Sequence, residues 1–261
     1  MTEQEQLEVV LSELRRLLLA FGDLGNNAVL IGGQVIAAER MARGEEGVIE
    51  VETRTGIKLQ RGYSLEPDLL LDLADRDAIA EMLPIVLREQ GYERTRDYRW
   101  RKMVGDVVVS IDLFRSGDVS EPTGMTVLPS ADRVLAQPEL VSVTAQGTAI
   151  ELSLPSPAAF AAMKLEAKLG LRPQDPRDCF DLYVYICEKS PEVMARSLAR
   201  WSWSRALAEP LRKLFGDTSA PGVADVLSYA ATLDESQRDL VAQDIVDRFA
   251  DLFAALEKLL K

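Results

Sequence analysis

The sequence contains no histidine and only two cysteines, which excludes several kinds of catalytic site. Without imidazole there can be no Ser-His-Asp triad and no zinc site with histidine ligands. If Cys179 and Cys187 lie on one helix, they are about 12 Å apart, which is too far for a disulfide. Two reduced cysteines favour a cytoplasmic location.

Long apolar runs and a basic surplus are also missing. The net charge of the 261 residues is -12, so bulk nucleic-acid binding is not expected, and an RNA partner would need a local basic patch. Residues 3–20 alternate apolar and charged positions with helical spacing, and Thr2 with Glu5 fits a capping box. This pattern predicts a helix packed on a core rather than a membrane span, and we expect no membrane partner.

Two carboxylates, Glu66 and Asp68, stand two residues apart in the otherwise apolar run Ser64-Leu65-Glu66-Pro67-Asp68-Leu69-Leu70-Leu71. Residues two apart on a β-strand point to the same face. Two like charges held this close repel each other, and a divalent cation bound between them would offset this repulsion. Asp72 has the same strand parity, so a pairing of Asp68 with Asp72 is an alternative.

Two further segments point to phosphate chemistry. The strand Ala28–Ile31 is followed by Gly32-Gly33 and a helix pattern, which brings backbone N–H groups to a helix N-terminus, as in anion sites. Downstream, Val107, Val109, Ile111 and Leu113 form the core face of a strand. Asp112 is the lone acid within this strand, on its other face.

This set of residues resembles the polymerase-beta-type nucleotidyltransferase superfamily and, within it, the AbiEii-like toxins of bacterial toxin–antitoxin and phage-defence systems. The second half of the chain extends the resemblance. Lys164, in Phe160–Ala167, looks like the family's helical lysine, and Arg177-Asp178-Cys179-Phe180-Asp181-Leu182 looks like its Arg-Asp-x-x-Asp-Leu helix. The motifs cover residues 25–190 in patches.

The resemblance implies transfer of a nucleoside monophosphate from a nucleoside triphosphate to a hydroxyl acceptor. It implies magnesium as cofactor, held by Glu66, Asp68 and Asp112. The residues implied to contact the nucleotide are Gly32, Gly33, Ser64 and Lys164. The residues implied to act in catalysis are Asp112, Lys164, Asp178 and Asp181. In the toxin branch the implied acceptor is the 3′ end of a tRNA, with a cognate antitoxin as a further partner.

Three of these residues have alternative interpretations. Asp178 near a helix start fits helix capping as well as a site role. Asp181 is flanked by core residues and fits an ion pair with Lys164 or Arg172. The family's first metal carboxylate is usually Asp, whereas here it is Glu66 followed by Pro67, which leaves an inactive member open.

The most basic segment lies just before the Asp112 strand. If Tyr92–Met103 is one strand, a single face carries Arg94, Arg96, Tyr98, Trp100 and Lys102. Arginines interleaved with aromatic rings suit phosphate contact and base stacking, so these five residues are the predicted acceptor-binding face. A charged edge strand without a ligand has a similar composition.

The element pattern predicts an α+β protein: a nucleotidyltransferase-type mixed-sheet domain with flanking helices over residues 1–154, then an all-helical domain over 155–261. Residues 48–59 predict an inserted β-hairpin turning at Thr55-Gly56. Two other functions stay open. One is nucleotidyl transfer to a small molecule or a protein, and the other is a non-catalytic nucleotidyltransferase-like binding module.

Overall fold

Helices and a mixed β-sheet form the chain in the computed structural model, which describes residues 1–73, 77–117 and 125–261, with only the backbone described for 77–80. The strands are β1 Val29–Ile31, β2 Ile49–Glu52, β3 Lys58–Gly62, β4 Asp68–Leu71, β5 Glu93–Arg94, β6 Arg99–Val104, β7 Val107–Arg115, β8 Thr126–Val127, β9 Glu139–Ala145 and β10 Thr148–Leu154. The α-helices are α1 Glu3–Ala20, α2 Asp23–Asn26, α3 Gln34–Ala42, α4 Asp77–Glu89, α5 Ala131–Leu135, α6 Pro157–Glu166, α7 Arg177–Lys189, α8 Pro191–Arg200, α9 Ser202–Arg205, α10 Ala208–Phe215, α11 Pro221–Leu227 and α12 Glu235–Leu259.

The first helix forms as its sequence predicts. The Thr2 hydroxyl accepts a hydrogen bond from the Glu5 backbone N–H, and the Glu5 carboxylate accepts one from the Thr2 N–H. This capping box satisfies two N–H groups that have no partner within the helix. The apolar stripe of α1, which includes Leu7, Leu14 and Leu17, is fully buried.

The described residues divide into two compact units, and the first comprises Met1–Val48 and Tyr63–Pro155. It contains an eight-stranded mixed sheet in which seven strands follow the order β5-β6-β7-β4-β1-β10-β9, while β8 pairs with β7. Strand β4 runs parallel to β7 and antiparallel to β1. The predicted core face of β7 is confirmed, because Val109, Ile111 and Leu113 have no exposed surface.

The second unit comprises Ile49–Gly62 and Ser156–Lys261. Its first segment is the predicted hairpin, in which β2 and β3 pair antiparallel and Gly56 adopts φ +80°. All the regular structure described after Ser156 is helical, including a π-helical turn at Ala167–Leu171 that continues α6. The hairpin therefore belongs with the helices, although it interrupts the sheet unit in sequence. The division into domains at residues 154 and 155 stays a prediction.

Helices and a mixed sheet together are compatible with the predicted α+β class. Among the described residues, every helix is either too short or too polar to cross a membrane.

Candidate functional site

The sheet of the first unit brings Asp68 and Asp112 together. Asp68 is the first residue of β4, and Asp112 is its register partner on the parallel neighbour β7. Arg99 on β6 is in turn the register partner of Asp112. Because paired residues on neighbouring strands point to the same face, Asp68, Asp112 and Arg99 form a row across one face of the sheet. The sequence placed both carboxylates on strands but did not show that they face each other.

Glu66 lies outside the strand. The prediction that Glu66 and Asp68 share one strand is wrong, because β4 begins at Asp68 and Glu66 occupies a bend. Pro67 between them has no N–H to donate to a neighbouring strand, while its carbonyl accepts the Asp112 N–H at 2.9 Å. The Glu66 side chain is about half exposed. Asp72, the alternative partner, follows the other end of β4 and accepts a hydrogen bond from Ser116.

The guanidinium of Arg99 joins Asp112 to Glu66. Its Nε and one Nη donate to the two Asp112 carboxylate oxygens at 2.6 and 2.7 Å, and the same Nη lies 2.9 Å from Glu66 Oε2. The side chains of Arg99 and Asp112 are mostly buried, at 16% and 8% exposed. The hydrogen bonds to Asp112 raise the pKa of Arg99 above its usual value. Arg99 therefore stays charged and is held in place by two carboxylates.

Gly32 directly follows β1 and lies next to Asp68, at the end of this row of residues. It has φ +76°, which side-chain-bearing residues rarely adopt, and a Cβ at this position would lie 2.2 Å from Asp68 Oδ2. Gly33 is the N-cap of α3, as the sequence predicts for the glycine pair. Gln34, which follows, donates its side-chain N–H to the Ser64 carbonyl at 2.8 Å. This hydrogen bond ties the segment before Glu66 to the start of α3.

The residues suit magnesium in donor type. Asp68 and Asp112 supply the hard oxygen ligands that magnesium prefers, and Gly32 leaves the Asp68 carboxylate room that a Cβ would fill. Within the part of the chain that the structure describes, however, no three carboxylate or cysteine side chains converge as a set able to hold a metal ion. The cation that contacts both Glu66 and Asp112 is Arg99.

Lys164, Asp178 and Asp181 form a second cluster, in the helical unit. Lys164 Nζ lies 2.5 Å from Asp181 Oδ2 and 3.3 Å from Asp178 Oδ1, and all three side chains are buried. Arg172 donates two hydrogen bonds to Asp178 at 2.8 and 2.9 Å. Arg61, from the hairpin, lies 2.9 Å from Asp181 Oδ1. The predicted pairing of Asp181 with Lys164 is confirmed.

This cluster contains three cations and two carboxylates, which leaves one positive charge in excess. Buried charges are tolerated only when they are paired and hydrogen-bonded, so each member holds the others in place. Asp178 is the second residue of α7 and the acidic residue of its first turn. Its carboxylate binds Arg172 and Lys164, so this side chain combines a place in the first turn of α7 with two ion pairs.

The predicted acceptor-binding face is interrupted. Residues 92–103 are not one strand, because β5 and β6 fold back on each other and pair Arg94 with Trp100. The Asp97 carboxylate accepts a hydrogen bond from Arg94 across the turn. Trp100 is fully buried, so its ring is not available to stack on a base.

The other members of this predicted face, Lys102, Tyr98, Arg94 and Arg96, also lack a shared exposed surface. Lys102 contacts the buried carboxylate of Glu13 at 2.8 Å, and the Tyr98 ring lies 6.3 Å from that of Phe114. Arg94 and Arg96 are both exposed, and Arg94 is hydrogen-bonded to Asp97. The prediction that five residues share one exposed strand face is therefore wrong, while acceptor binding by Arg94 and Arg96 stays a prediction.

Arg99 is the site residue that the sequence reasoning missed. A signal for it exists in the turn at Gly105-Asp106, which pairs Val104 with Val107. Counting the same number of residues outward from this pair gives Arg99 opposite Asp112. The turn therefore sets the register of β6 against β7, but the role of Arg99 was not predicted.

Both cysteines are free thiols on α7. Burial raises the pKa of Cys187 to about 12 and raises that of Cys179 as well. Neither thiol is therefore ionised near neutral pH, which argues against nucleophilic chemistry at either position.

Comparison with models of known protein families and with curated proteins gives no significant match. The family resemblance therefore rests on the residues described above.

Proposed function

We propose that this chain is a metal-dependent nucleotidyltransferase of the polymerase-beta type that transfers a nucleoside monophosphate from a nucleoside triphosphate to a hydroxyl. The observation that supports this proposal best is the pairing of Asp68 with Asp112 in register on parallel strands. Two adjacent carboxylates on one sheet face, next to a strand-Gly32-Gly33-helix turn, are what binding of a cation and a triphosphate requires.

The proposed chemistry assigns a role to each group. Asp68 and Asp112 would hold magnesium, with Glu66 as the further predicted ligand. The bound ion would lower the pKa of the acceptor hydroxyl and neutralise the triphosphate. The acceptor oxygen would form a bond to the α-phosphorus, the bond to the β-phosphate would break, and pyrophosphate would leave. Asp112 would take the hydroxyl proton.

The remaining residues would bind and position the nucleotide. The backbone N–H groups at Gly32 and Gly33 would contact phosphate at the N-terminus of α3, beside Ser64. The family resemblance assigns Lys164 to offset charge on the triphosphate, and Asp178 and Asp181 hold Lys164 through ion pairs. The proposal includes a nucleotidyltransferase-type domain over residues 1–154, followed by a helical domain.

The acceptor and the biological setting follow the family resemblance. We propose a tRNA 3′ end as the acceptor, in a cytoplasmic toxin paired with an antitoxin. The net charge of -12 restricts RNA contact to local basic segments such as Arg94 and Arg96.

A second candidate is a non-catalytic binding module. The ion pairs that Arg99 makes with Glu66 and Asp112 favour it, because a fixed guanidinium could replace the ion permanently.

The two functions differ in whether the Asp68-Asp112 pair supports transfer. Purified protein would be incubated with magnesium, α-labelled nucleoside triphosphates and total tRNA, and label in RNA would be measured. We expect Asp68→Ala and Asp112→Ala each to abolish transfer. Asp106→Ala removes an exposed carboxylate from the β6-β7 turn and should keep full transfer. Near-normal transfer by either site variant would reject the assignment of these two carboxylates.

A further inference from the structure

Arg99 already supplies one positive charge at the site where a divalent cation would supply two. Its guanidinium uses both carboxylate oxygens of Asp112, at 2.6 and 2.7 Å, and it contacts Glu66 at 2.9 Å. A carboxylate with both oxygens engaged by one guanidinium has fewer lone pairs free for a metal ion. Arg99 and a cation bound to Asp112 therefore compete for the same oxygens.

The carboxylates near this face favour a cation at the position of Arg99. Glu66, Asp68 and Asp112 carry three negative charges, and Asp112 is 8% exposed. An unpaired buried carboxylate beside a second one is strongly disfavoured. Arg99 offsets one of these charges and satisfies Asp112.

Glu66 gives the guanidinium a second partner outside the strand. Its side chain is 49% exposed, whereas that of Asp112 is 8% exposed. A carboxylate at the protein surface is free to follow the arginine side chain. Arg99 can therefore leave Asp112 without losing every carboxylate partner.

We propose that Arg99 is a built-in competitor of the divalent cation, which neutralises Asp112 in the metal-free protein and moves to Glu66 alone when the cation binds. This inference rests on the proposed function, because it takes the Asp68-Asp112 pair as the metal-binding site, but it assigns Glu66 to Arg99 rather than to the cation. It makes Arg99 a residue that positions Asp112 and sets the metal concentration at which the site fills.

The test measures metal affinity directly, with no catalytic readout. Binding of Mn²⁺, as a probe for magnesium, would be titrated by calorimetry and by electron paramagnetic resonance of the free ion. The variant Arg99→Gln removes the charge but keeps an N–H donor for Asp112. Its matched control is Arg101→Gln, two residues along β6 on the same face, where the side chain contacts Ser110 rather than a carboxylate.

We expect Arg99→Gln to bind Mn²⁺ about ten- to a hundredfold more tightly than the parent, since two charge-assisted hydrogen bonds no longer have to break. The control removes the same net charge and should change the affinity by less than about threefold, because an exposed charge is screened. If Arg99→Gln does not fold, Arg99→Lys keeps the charge, loses the paired hydrogen bonds and should give a smaller increase of the same sign.

NMR spectroscopy can detect the movement of the Arg99 guanidinium separately. In the parent protein the Arg99 side-chain Nε–H resonance should be visible in the presence of a chelator, because hydrogen bonding slows its exchange with water. It should weaken or shift as magnesium is added. A resonance that does not change while magnesium binds would overturn the inference.

The outcomes separate this inference from the proposed function. Equal Mn²⁺ affinity of the parent and Arg99→Gln would overturn the competition and leave the transferase proposal standing. Tight binding by Arg99→Gln with no binding by the parent would support the competition and reject catalysis in favour of the binding module. No Mn²⁺ binding by either protein would overturn both.

Discussion

Replacing Gly32 by alanine tests how the Gly32-Gly33 turn and the carboxylate pair depend on each other. Gly32 has φ +76°, and its absent Cβ would lie 2.2 Å from Oδ2 and 3.1 Å from Cγ of Asp68. The left-handed conformation costs a side-chain-bearing residue about 1–2 kcal/mol. Overpacking against the carboxylate adds about 1–3 kcal/mol.

We therefore expect Gly32→Ala to lower the free energy of unfolding by about 2–5 kcal/mol, as the sum of these two contributions. Urea denaturation followed by circular dichroism measures this value. The control is Gly105→Ala in the β6-β7 turn, which has φ +58° and no heavy atom within 4 Å of its Cβ position. It carries only the conformational cost of about 1–2 kcal/mol.

Double variants locate the clash. Asp68→Ala removes the carboxylate that the new Cβ would meet, whereas Asp68→Asn keeps a group of the same size. Gly32→Ala should therefore cost less in the Asp68→Ala background than in the Asp68→Asn background, by about 0.5–3 kcal/mol. Equal costs in both backgrounds, or a Gly32→Ala cost no larger than that of Gly105→Ala, would refute the close packing of Gly32 on Asp68.

Two further predictions concern charge. Hydrogen bonds from Arg177 lower the pKa of Asp175 to about 2 in the folded protein, so its contribution to stability is present above about pH 4 and is lost as the pH falls to 2. Asp175→Asn should destabilise the protein by about 0.5–1 kcal/mol at pH 7, because solvent screens this ion pair with the exposed Arg177, and by less at pH 2 in denaturant titrations. A pH-independent loss would contradict the assignment. Arg94→Ala with Arg96→Ala should weaken tRNA binding and flatten the slope of log affinity against log salt by about 0.7–0.9 for each phosphate that the variant no longer binds. An unchanged salt titration would remove this segment from the acceptor site.

The local elements could be predicted from the sequence because their causes are local. The Thr2-Glu5 capping box fixed the start of α1, and the glycine pair after β1 fixed the start of α3. The β2-β3 hairpin followed from two β-rich runs around Gly56. Alternation along Val107–Leu113 identified the buried face of β7. In each case the deciding residues are within a few positions of one another.

Tertiary structure decided which of these residues meet. Asp68 and Asp112 are far apart in sequence, and only the parallel pairing of β4 with β7 places them side by side. The β6-β7 turn places Arg99 opposite Asp112, whereas the contact of its guanidinium with Glu66 depended on the fold. The interruption of the strand at residues 95–98 likewise depended on the tertiary structure, in which β5 folds back onto β6 and Trp100 is buried in the core. A sequence fixes the spacing of charges along the chain, whereas their pairing depends on long-range contacts that carry no local signal.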